Sequence, residues 1–150
     1  MGSDHTAKAF DDDLQELNRL VAEMGGLAER QIVDSVDALI RRDVALGKRV
    51  VAADLEIDKL QHLIEERAVL TIARRQPMAV DLREIVSSMR VATDLERIGD
   101  LSKNIGKRVA ALDSDFHPLK LIRGLEHMTD LVQSQVKSVL DAYAAHDLPA

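Results

Sequence analysis

The stretch "RRQPMAVDLRE" (residues 74–84) separates two long helical patterns and decides how they pack. Gln76 precedes Pro77, and the residue before a proline is disfavoured in the α-helical region, so a helix is expected to end here. A new pattern of apolar residues starts almost at once, near Ala79. Because so short a connection forces neighbouring helices to run antiparallel, this turn predicts two long helices packed side by side.

Apolar residues at alternating steps of three and four predict four helices in all. The expected ranges are 6–42, 44–75, 79–112 and about 119–145. Asp43 is the expected N-cap of the second helix. Gly25 and Gly26 interrupt the first helix, which predicts a bend or the close approach of a neighbouring backbone. The predicted fold class is all-α: an antiparallel three-helix bundle over residues 1–112, followed by a long fourth helix within residues 119–150.

Each of the first three helices has a predicted core-facing stripe. The stripes are Phe10, Leu14, Leu17, Val21, Met24 and Ala28; Ala53, Ile57, Leu60, Ile64 and Ala68; and Leu82, Ile85, Val86, Met89, Ile98, Ile105 and Val109.

The fourth helix repeats the pattern of the first. Shifted by 104 positions, "MGGLAERQIVDSVDALIRRDVAL" from Met24 lies without a gap over "MTDLVQSQVKSVLDAYAAHDLPA" from Met128. Apolar positions stay in phase, as where Ile32 meets Val136. Residues 119–150, after the turn "DSDFHP" (residues 113–118), are therefore expected to be the first helix of a second, truncated bundle. Its apolar face must be covered by its own bundle or by another copy of the chain.

Composition excludes several classes of function. The chain has no cysteine, so it can form neither disulfides nor thiolate metal sites, which fits a reducing compartment. A net charge of −6 argues against nucleic acid as a partner, and Phe10, Phe116 and Tyr143 are too few aromatics to stack on bases. No secretory signal is visible, and no apolar run approaches the ~20 residues that a bilayer span needs. We expect a soluble, acidic helical protein.

Two pairs of acidic residues are the strongest candidates for a site. Asp54 and Asp58 form one pair, and Glu96 and Asp100 form the other. Residues four apart lie on one face of a helix, so each pair stacks like charges beside an apolar stripe. Gly99 removes side-chain bulk between the second pair, where another group could approach. The same spacing occurs twice more, at positions that we interpret as solvated helix faces: Asp12/Glu16 and Glu126/Asp130.

The two pairs are expected at nearly the same height in the bundle. Counted from the turn at residues 76–77, Asp58 and Glu96 lie about 18 and 20 residues away, and Asp54 and Asp100 about 22 and 24. Only Asp100 has a local cation, in Lys103. Four carboxylates brought together need a metal ion, protons or a basic partner. With oxygen ligands alone, the candidate metals are Fe, Mn, Mg, Ca and Zn.

Other candidates are weaker. His62 follows Asp58 by one turn and could donate an imidazole, but a surface position is the simpler interpretation. Arg74, Arg75 and Arg83 could bind an anion, although basic residues at a helix C-terminus explain the first two equally well. The sequence contains no glycine-rich phosphate loop, nucleophile elbow or Ser/His/Asp constellation, so we do not expect an enzyme.

The runs "ADLEIDKLQHLIEE" (residues 53–66) and "RRQPMAVDLREIVSSMRVATDLERIGDLSKNI" (residues 74–105) resemble the PhoU family of phosphate-signalling proteins. The resemblance covers nearly the whole chain, including "MGGLAERQ" (residues 24–31). Members of this family are built from two similar three-helix bundles in tandem, and their E(D)xxxD motifs bind multinuclear metal clusters. The resemblance implies an Fe, Zn or Mn site at the matching positions: Asp54, Asp58, Glu96 and Asp100.

The resemblance also implies a function. PhoU-like proteins are cytoplasmic negative regulators of the phosphate-starvation response, thought to link the ATPase subunit of the phosphate ABC transporter to a PhoR-type sensor histidine kinase. The implied protein is an adaptor that binds neither nucleic acid nor the membrane interior and forms homodimers or higher homo-oligomers. This chain departs from the family in length, because only the first helix of a second bundle is present.

Two alternatives to an adaptor stay open at this point. The first is a carboxylate-bridged metalloenzyme, although such bundles generally carry Glu-x-x-His pairs that this sequence lacks. The second is a purely structural helical bundle whose acidic pairs are solvated.

Overall fold

The protein is seen here as a computed structural model that describes residues 2–112 and 119–145. Four helices account for nearly all of it: α1 (Gly2–Arg41), α2 (Val44–Arg75), α3 (Ala79–Val109) and α4 (Leu119–Ala144). The first three pack against one another as an antiparallel bundle, and α4 packs on α1. The predicted all-α fold is therefore confirmed. The predicted turn at residues 113–118 lies outside the described residues.

The helix boundaries follow from local capping. Asp43 caps α2 as predicted, with its Oδ1 accepting a hydrogen bond of 2.9 Å from the Leu46 amide. The helix ends at Gln76, whose φ of 47° is in the left-handed region and whose N–H donates to the Ile72 carbonyl. The α2–α3 turn therefore lies where the proline predicts it.

Two predicted boundaries differ from the structure. The first helix begins at Gly2, a turn earlier than predicted, and the Thr6 hydroxyl donates back to the Gly2 carbonyl at 2.8 Å. The third helix ends at Val109, the last buried residue of that face, whereas residues 110–112 are exposed and form a turn. Exposed residues gain nothing from continuing the helix against a neighbour.

The core lies among α1, α2 and α3, and most of the predicted stripes face it. Two predicted members are wrong: Ala53 is exposed, and Leu82 is 37% exposed. On α2 the buried position next to Ala53 is Asp54, so a carboxylate occupies a core position. On α3 the buried line consists largely of small residues: Ser88, Ala92, Gly99, Ser102 and Gly106.

Small residues let α2 and α3 touch through their backbones. A Cβ atom added to Gly47 would lie 2.8 Å from the Gly106 carbonyl oxygen, and one added to Gly106 would lie 2.9 Å from the Gly47 carbonyl oxygen. Real Cβ atoms do not approach so closely, so both positions require glycine. We refer to this contact as the glycine crossing.

The last helix is held by apolar contacts and by hydrogen bonds of one tyrosine. A Cβ atom on Gly25 would lie 2.7 Å from the Leu140 side chain, so a side chain of α4 fills the space that this glycine leaves. A neighbouring backbone, one of the two predicted reasons for the glycine, does not fill it. Tyr143 donates from its hydroxyl to Asn18 Oδ1 of α1 at 2.8 Å and lies 2.7 Å from Ser88 Oγ of α3. These contacts join α4 to two helices of the bundle.

The outward face of α4 is apolar and exposed, with five large side chains between 41% and 61% exposed: Leu121, Met128, Leu131, Val132 and Val139. Their repeat partners on α1 include Met24 and Ala28, which are fully buried. None of the described helices is long and apolar enough to cross a membrane.

Candidate metal centre

Adjacent faces of α2 and α3 carry the acidic residues, about two helical turns from the glycine crossing. Asp54, Asp58 and Asp100 each offer a carboxylate oxygen, and these oxygens lie within 4.8 Å of one another. Asp54 is only 1% exposed, whereas Asp58 and Asp100 are half-buried. The structure therefore brings three of the four predicted residues together across neighbouring helices. We refer to these three residues as the acidic cluster.

Glu96 lies beside the acidic cluster rather than within it. Its side chain is half-buried and shares a hydrogen bond with Asp100. Burial raises the pKa of Glu96, and the hydrogen bond with Asp100 raises it further. Glu96 therefore holds its proton more tightly than an ordinary glutamate.

A lysine links the two halves of the cluster. Lys103 Nζ donates to Asp54 Oδ2 of α2 at 2.6 Å and to Asp100 Oδ1 of its own helix at 2.9 Å. The sequence predicts the second contact from the spacing of three. It does not reveal the first, because Lys103 and Asp54 are 49 residues apart and meet only after α2 and α3 pack.

One oxygen of the cluster is left without a partner. Within the described part of the chain, Asp54 Oδ1 is buried and accepts no hydrogen bond. It faces Gly99, where an added Cβ atom would lie 3.1 Å away. An unpaired buried carboxylate oxygen is costly, so this atom is a natural ligand for a cation. The space that Gly99 leaves is occupied by two side chains of α2, since an added Cβ atom would also lie 3.0 Å from Ile57 Cδ1.

The pKa values of Asp58 and Asp100 shift in opposite directions from their ordinary values. Burial, followed by the negative charge of Asp54, raises the pKa of Asp58. The hydrogen bond from Lys103 lowers the pKa of Asp100. Hydrogen bonds to Asp54 and Asp100 in turn raise the pKa of Lys103, so that it stays charged. One positive group thus faces several carboxylates, and the cluster keeps excess negative charge for a cation.

The remaining candidates do not join the cluster. The His62 side chain is 80% exposed and lies 3.9 Å from Glu65, which agrees with the surface position expected for it. Arg75 forms an ion pair with Asp13 of α1 at 2.9 Å. Arg74 and Arg83 are exposed.

Glu126 and Asp130, which have the same spacing as the cluster pairs, are both exposed on α4. The four-residue spacing of two acidic residues therefore does not distinguish a cluster from a solvated helix face. The packing of the helices that carry the pairs makes the difference.

Comparison with known proteins identifies relatives of this chain. The PhoU domain family matches residues 21–109, which include all four acidic residues of the predicted site. The chain is 51% identical over 145 residues to the phosphate-specific transport system accessory protein PhoU homolog of Rhizobium meliloti (strain 1021), covering 97% of this chain and 61% of that protein. It is 46% identical over 146 residues to the homolog of Caulobacter vibrioides (strain NA1000 / CB15N), covering 97% of this chain and 64% of that protein.

A solved structure of the same family has a similar fold. The crystal structure of PhoU from Pseudomonas aeruginosa superposes with a TM-score of 0.86 at 36% identity, covering 92% of this chain and 66% of that one. The chain spans about three fifths of the length of these two curated relatives. From the family match, these identities and this superposition, we conclude that the chain belongs to the PhoU family.

Proposed function

We propose that this chain is part of a cytoplasmic negative regulator of the phosphate-starvation response. In this role it links the ATPase subunit of a phosphate ABC transporter to a PhoR-type sensor histidine kinase. The observation that carries the proposal is the 51% identity to a phosphate-specific transport system accessory protein along almost the whole chain. The chain acts by binding these partners rather than by catalysing a reaction.

The surface suits an adaptor. Helix α4 presents a row of exposed apolar side chains, and a groove between α3 and α4 is lined by Val91, Leu95, Ile98, Val136 and Val139. Apolar helix faces and grooves are a common means of helix-to-helix recognition.

We propose that the acidic cluster, together with Glu96, holds a metal ion, with Fe, Zn or Mn as the candidates. The buried, unpaired Asp54 Oδ1 supports this proposal, because it lies beside a glycine and lacks a protein donor among the described residues. Carboxylate oxygens suit hard and borderline cations. A bound cation would neutralise the cluster and cross-link α2 to α3, which is a structural or regulatory role.

Metal content is the first test. The protein is purified without chelator and its metals are measured by mass spectrometry, alongside an Asp54→Asn/Asp100→Asn variant. The matched control is Glu126→Gln/Asp130→Asn, which neutralises two exposed carboxylates with the same spacing. We expect bound metal in the wild type and the control but not in the cluster variant. Equal metal content in all three proteins would remove the cluster from the proposal.

Partner binding is the second test. Purified chain is mixed with the transporter ATPase and, separately, with the cytoplasmic part of the kinase, and complexes are measured by light scattering. We expect binding to both partners. If neither binds, the adaptor role of these residues is wrong, whatever the metal content.

A purely structural bundle is the second candidate, and one observation favours it. Lys103 already pairs with both helices of the cluster at 2.6 and 2.9 Å, so the protein supplies a cation of its own. Metal-free protein that binds neither the ATPase nor the kinase would support this candidate. The metalloenzyme alternative gains no support, since the exposed His62 is not part of the cluster.

We propose that residues 1–112 form a complete PhoU bundle and that residues 119–150 begin a second one. The support is that apolar positions of α4 are exposed where the matching positions of α1 are buried. In the isolated chain this face would pair with another copy. Sedimentation at several protein concentrations tests this homo-oligomer, and a monomer at all concentrations would contradict it.

A further inference from the structure

Lys103 is a cation built into the acidic cluster. Its Nζ is 2.6 Å from Asp54 Oδ2 and 2.9 Å from Asp100 Oδ1, two oxygens that come from different helices. Asp54 and Asp100 are also two of the three residues whose oxygens lie close enough together to hold a metal ion. The lysine and a metal ion would therefore use the same carboxylates.

The two cations compete for these carboxylates through both distance and charge. Metal ions bind carboxylate oxygens at about 2.0–2.6 Å, which is close to the distance at which the ammonium already lies. Two positive charges a few ångströms apart also repel strongly in a partly buried site. A metal ion that takes Asp54 Oδ2 or Asp100 Oδ1 must displace the lysine from that oxygen. A metal ion that binds the unpaired Asp54 Oδ1 still places its charge on the carboxylate that the ammonium already contacts, and the two charges repel.

We infer that Lys103 is an internal competitor for the metal ion, so that the cluster alternates between a lysine-closed form and a metal-bound form. This inference rests on the proposed metal site. The Lys103 side chain is 24% exposed and can turn towards solvent, whereas the Asp54 side chain is only 2% exposed and must stay. The lysine is therefore the mobile partner of the pair.

The competition has a functional consequence. A ligand that binds only one of two forms has its apparent affinity reduced by the fraction of protein in that form. Lys103 would thus raise the metal concentration at which the site fills. It would also keep α2 and α3 linked when the metal leaves, because Asp54 regains a positive partner.

The test compares three proteins by equilibrium dialysis against Zn²⁺: the wild type, Lys103→Met and Lys107→Met. Methionine keeps the length of the side chain but removes the ammonium. Lys107 is the matched control, because it is an exposed lysine one turn further along α3, near enough to influence Asp100 only through its charge. We expect Lys103→Met to bind Zn²⁺ roughly tenfold or more tightly than the wild type, and Lys107→Met to bind like the wild type.

The outcomes separate the inference from the site itself. If the wild type binds Zn²⁺ and Lys103→Met binds it equally or more weakly, the inference is wrong while the metal site stands. If both lysine variants gain the same affinity, general charge is responsible and the inference is also wrong. If neither wild type nor Lys103→Met binds Zn²⁺, the proposed metal site fails and the inference fails with it.

A second measurement needs no variant, in case Lys103→Met does not fold. Lysines of the wild-type protein are acetylated briefly with and without Zn²⁺, and each site is quantified by mass spectrometry. We expect acetylation of Lys103 to rise when Zn²⁺ is bound, because the amine is released from its two carboxylates, while acetylation of Lys107 stays constant. Unchanged or reduced labelling of Lys103 in the Zn²⁺-bound protein would overturn the inference.

Discussion

Gly47 and Gly106 bring the backbones of α2 and α3 into direct contact, with each glycine facing the carbonyl oxygen of the other. No side chain separates the two helices here. The acidic cluster lies about two turns away, so the positions of its two halves depend on this contact.

The glycine crossing predicts a large effect for a small substitution. In Gly106→Ala the new methyl group would lie 2.9 Å from the Gly47 carbonyl oxygen, which a backbone cannot easily avoid. We expect a loss of about 1–3 kcal/mol in the free energy of unfolding, measured with urea. The control is Gly26→Ala, where an added Cβ meets nothing within 4 Å among the described residues. That substitution should stabilise α1 by up to about 1 kcal/mol. Equal effects in the two variants would contradict the prediction.

For a substitution at Gly99 we predict the opposite result: a small change in stability and a larger change in metal binding. An added Cβ would lie 3.0 Å from Ile57 Cδ1 and 3.1 Å from Asp54 Oδ1, so both side chains must shift by a few tenths of an ångström. Alanine also favours the helix by about 1 kcal/mol, which offsets part of the crowding. We expect Gly99→Ala to unfold close to the wild-type urea midpoint but to bind Zn²⁺ more weakly. Unchanged Zn²⁺ binding would show that the space beside Asp54 is not needed.

The cluster predicts how stability changes with pH in metal-free protein. The pKa values of Asp58 and Glu96 are raised in the fold, chiefly by burial. The folded state therefore binds more protons than the unfolded state, and stability should fall as the pH rises from about 4 through the raised values. The pKa of Asp100 is lowered by Lys103, so its contribution has the opposite sign and is lost below its ordinary range.

Urea unfolding at pH 4 and pH 7 in the presence of chelator measures this balance. We expect the fall between these pH values to be smaller in Asp58→Asn/Glu96→Gln than in the wild type. The exposed pair on α4 serves as the control, since Glu126→Gln/Asp130→Asn should keep the wild-type slope. A cluster variant that loses as much stability as the wild type between these pH values would contradict the prediction.

The hydrogen bonds of Tyr143 are expected to stabilise the packing of α4 on the bundle. In Tyr143→Phe the ring stays, but the hydrogen bonds with Asn18 and Ser88 are lost. We expect the free energy of unfolding to fall by roughly 1–2 kcal/mol, because each net hydrogen bond contributes about 0.5–1.5 kcal/mol. Hydrogen exchange should become faster in α4 and remain unchanged in α2. Unaltered exchange in α4 would show that its apolar contacts hold the helix without these hydrogen bonds.

Much of the fold could be predicted from sequence because its signals are local. The cap at Asp43 and the break at Gln76 depend on neighbouring residues, and both are found where predicted. The burial of Asp54 could not be predicted in this way. Its position beside Ala53 gave the apolar stripe two possible registers, and only the packing of α2 on α3 decides between them.

The positions of the acidic residues could be predicted from the sequence, but the positive charge that pairs with them could not. Counting residues from the turn at 76–77 predicted that Asp54, Asp58 and Asp100 lie at nearly the same height in the bundle, and the structure brings them together. The contact from Lys103 to Asp54 crosses between helices, and no sequence spacing encodes it. The same holds for Leu140 at Gly25, where sequence signals a gap but not the side chain that fills it.

The glycine crossing has one more consequence, for the choice of ion. Helices α2 and α3 are joined covalently at residues 76–78 and are in backbone contact at Gly47 and Gly106, so the acidic cluster lies between two fixed points. Neither end can open without breaking the fold. The spacing of the carboxylates is then set largely by the main chain, so the proposed metal ion would have to match that spacing in its radius and coordination number.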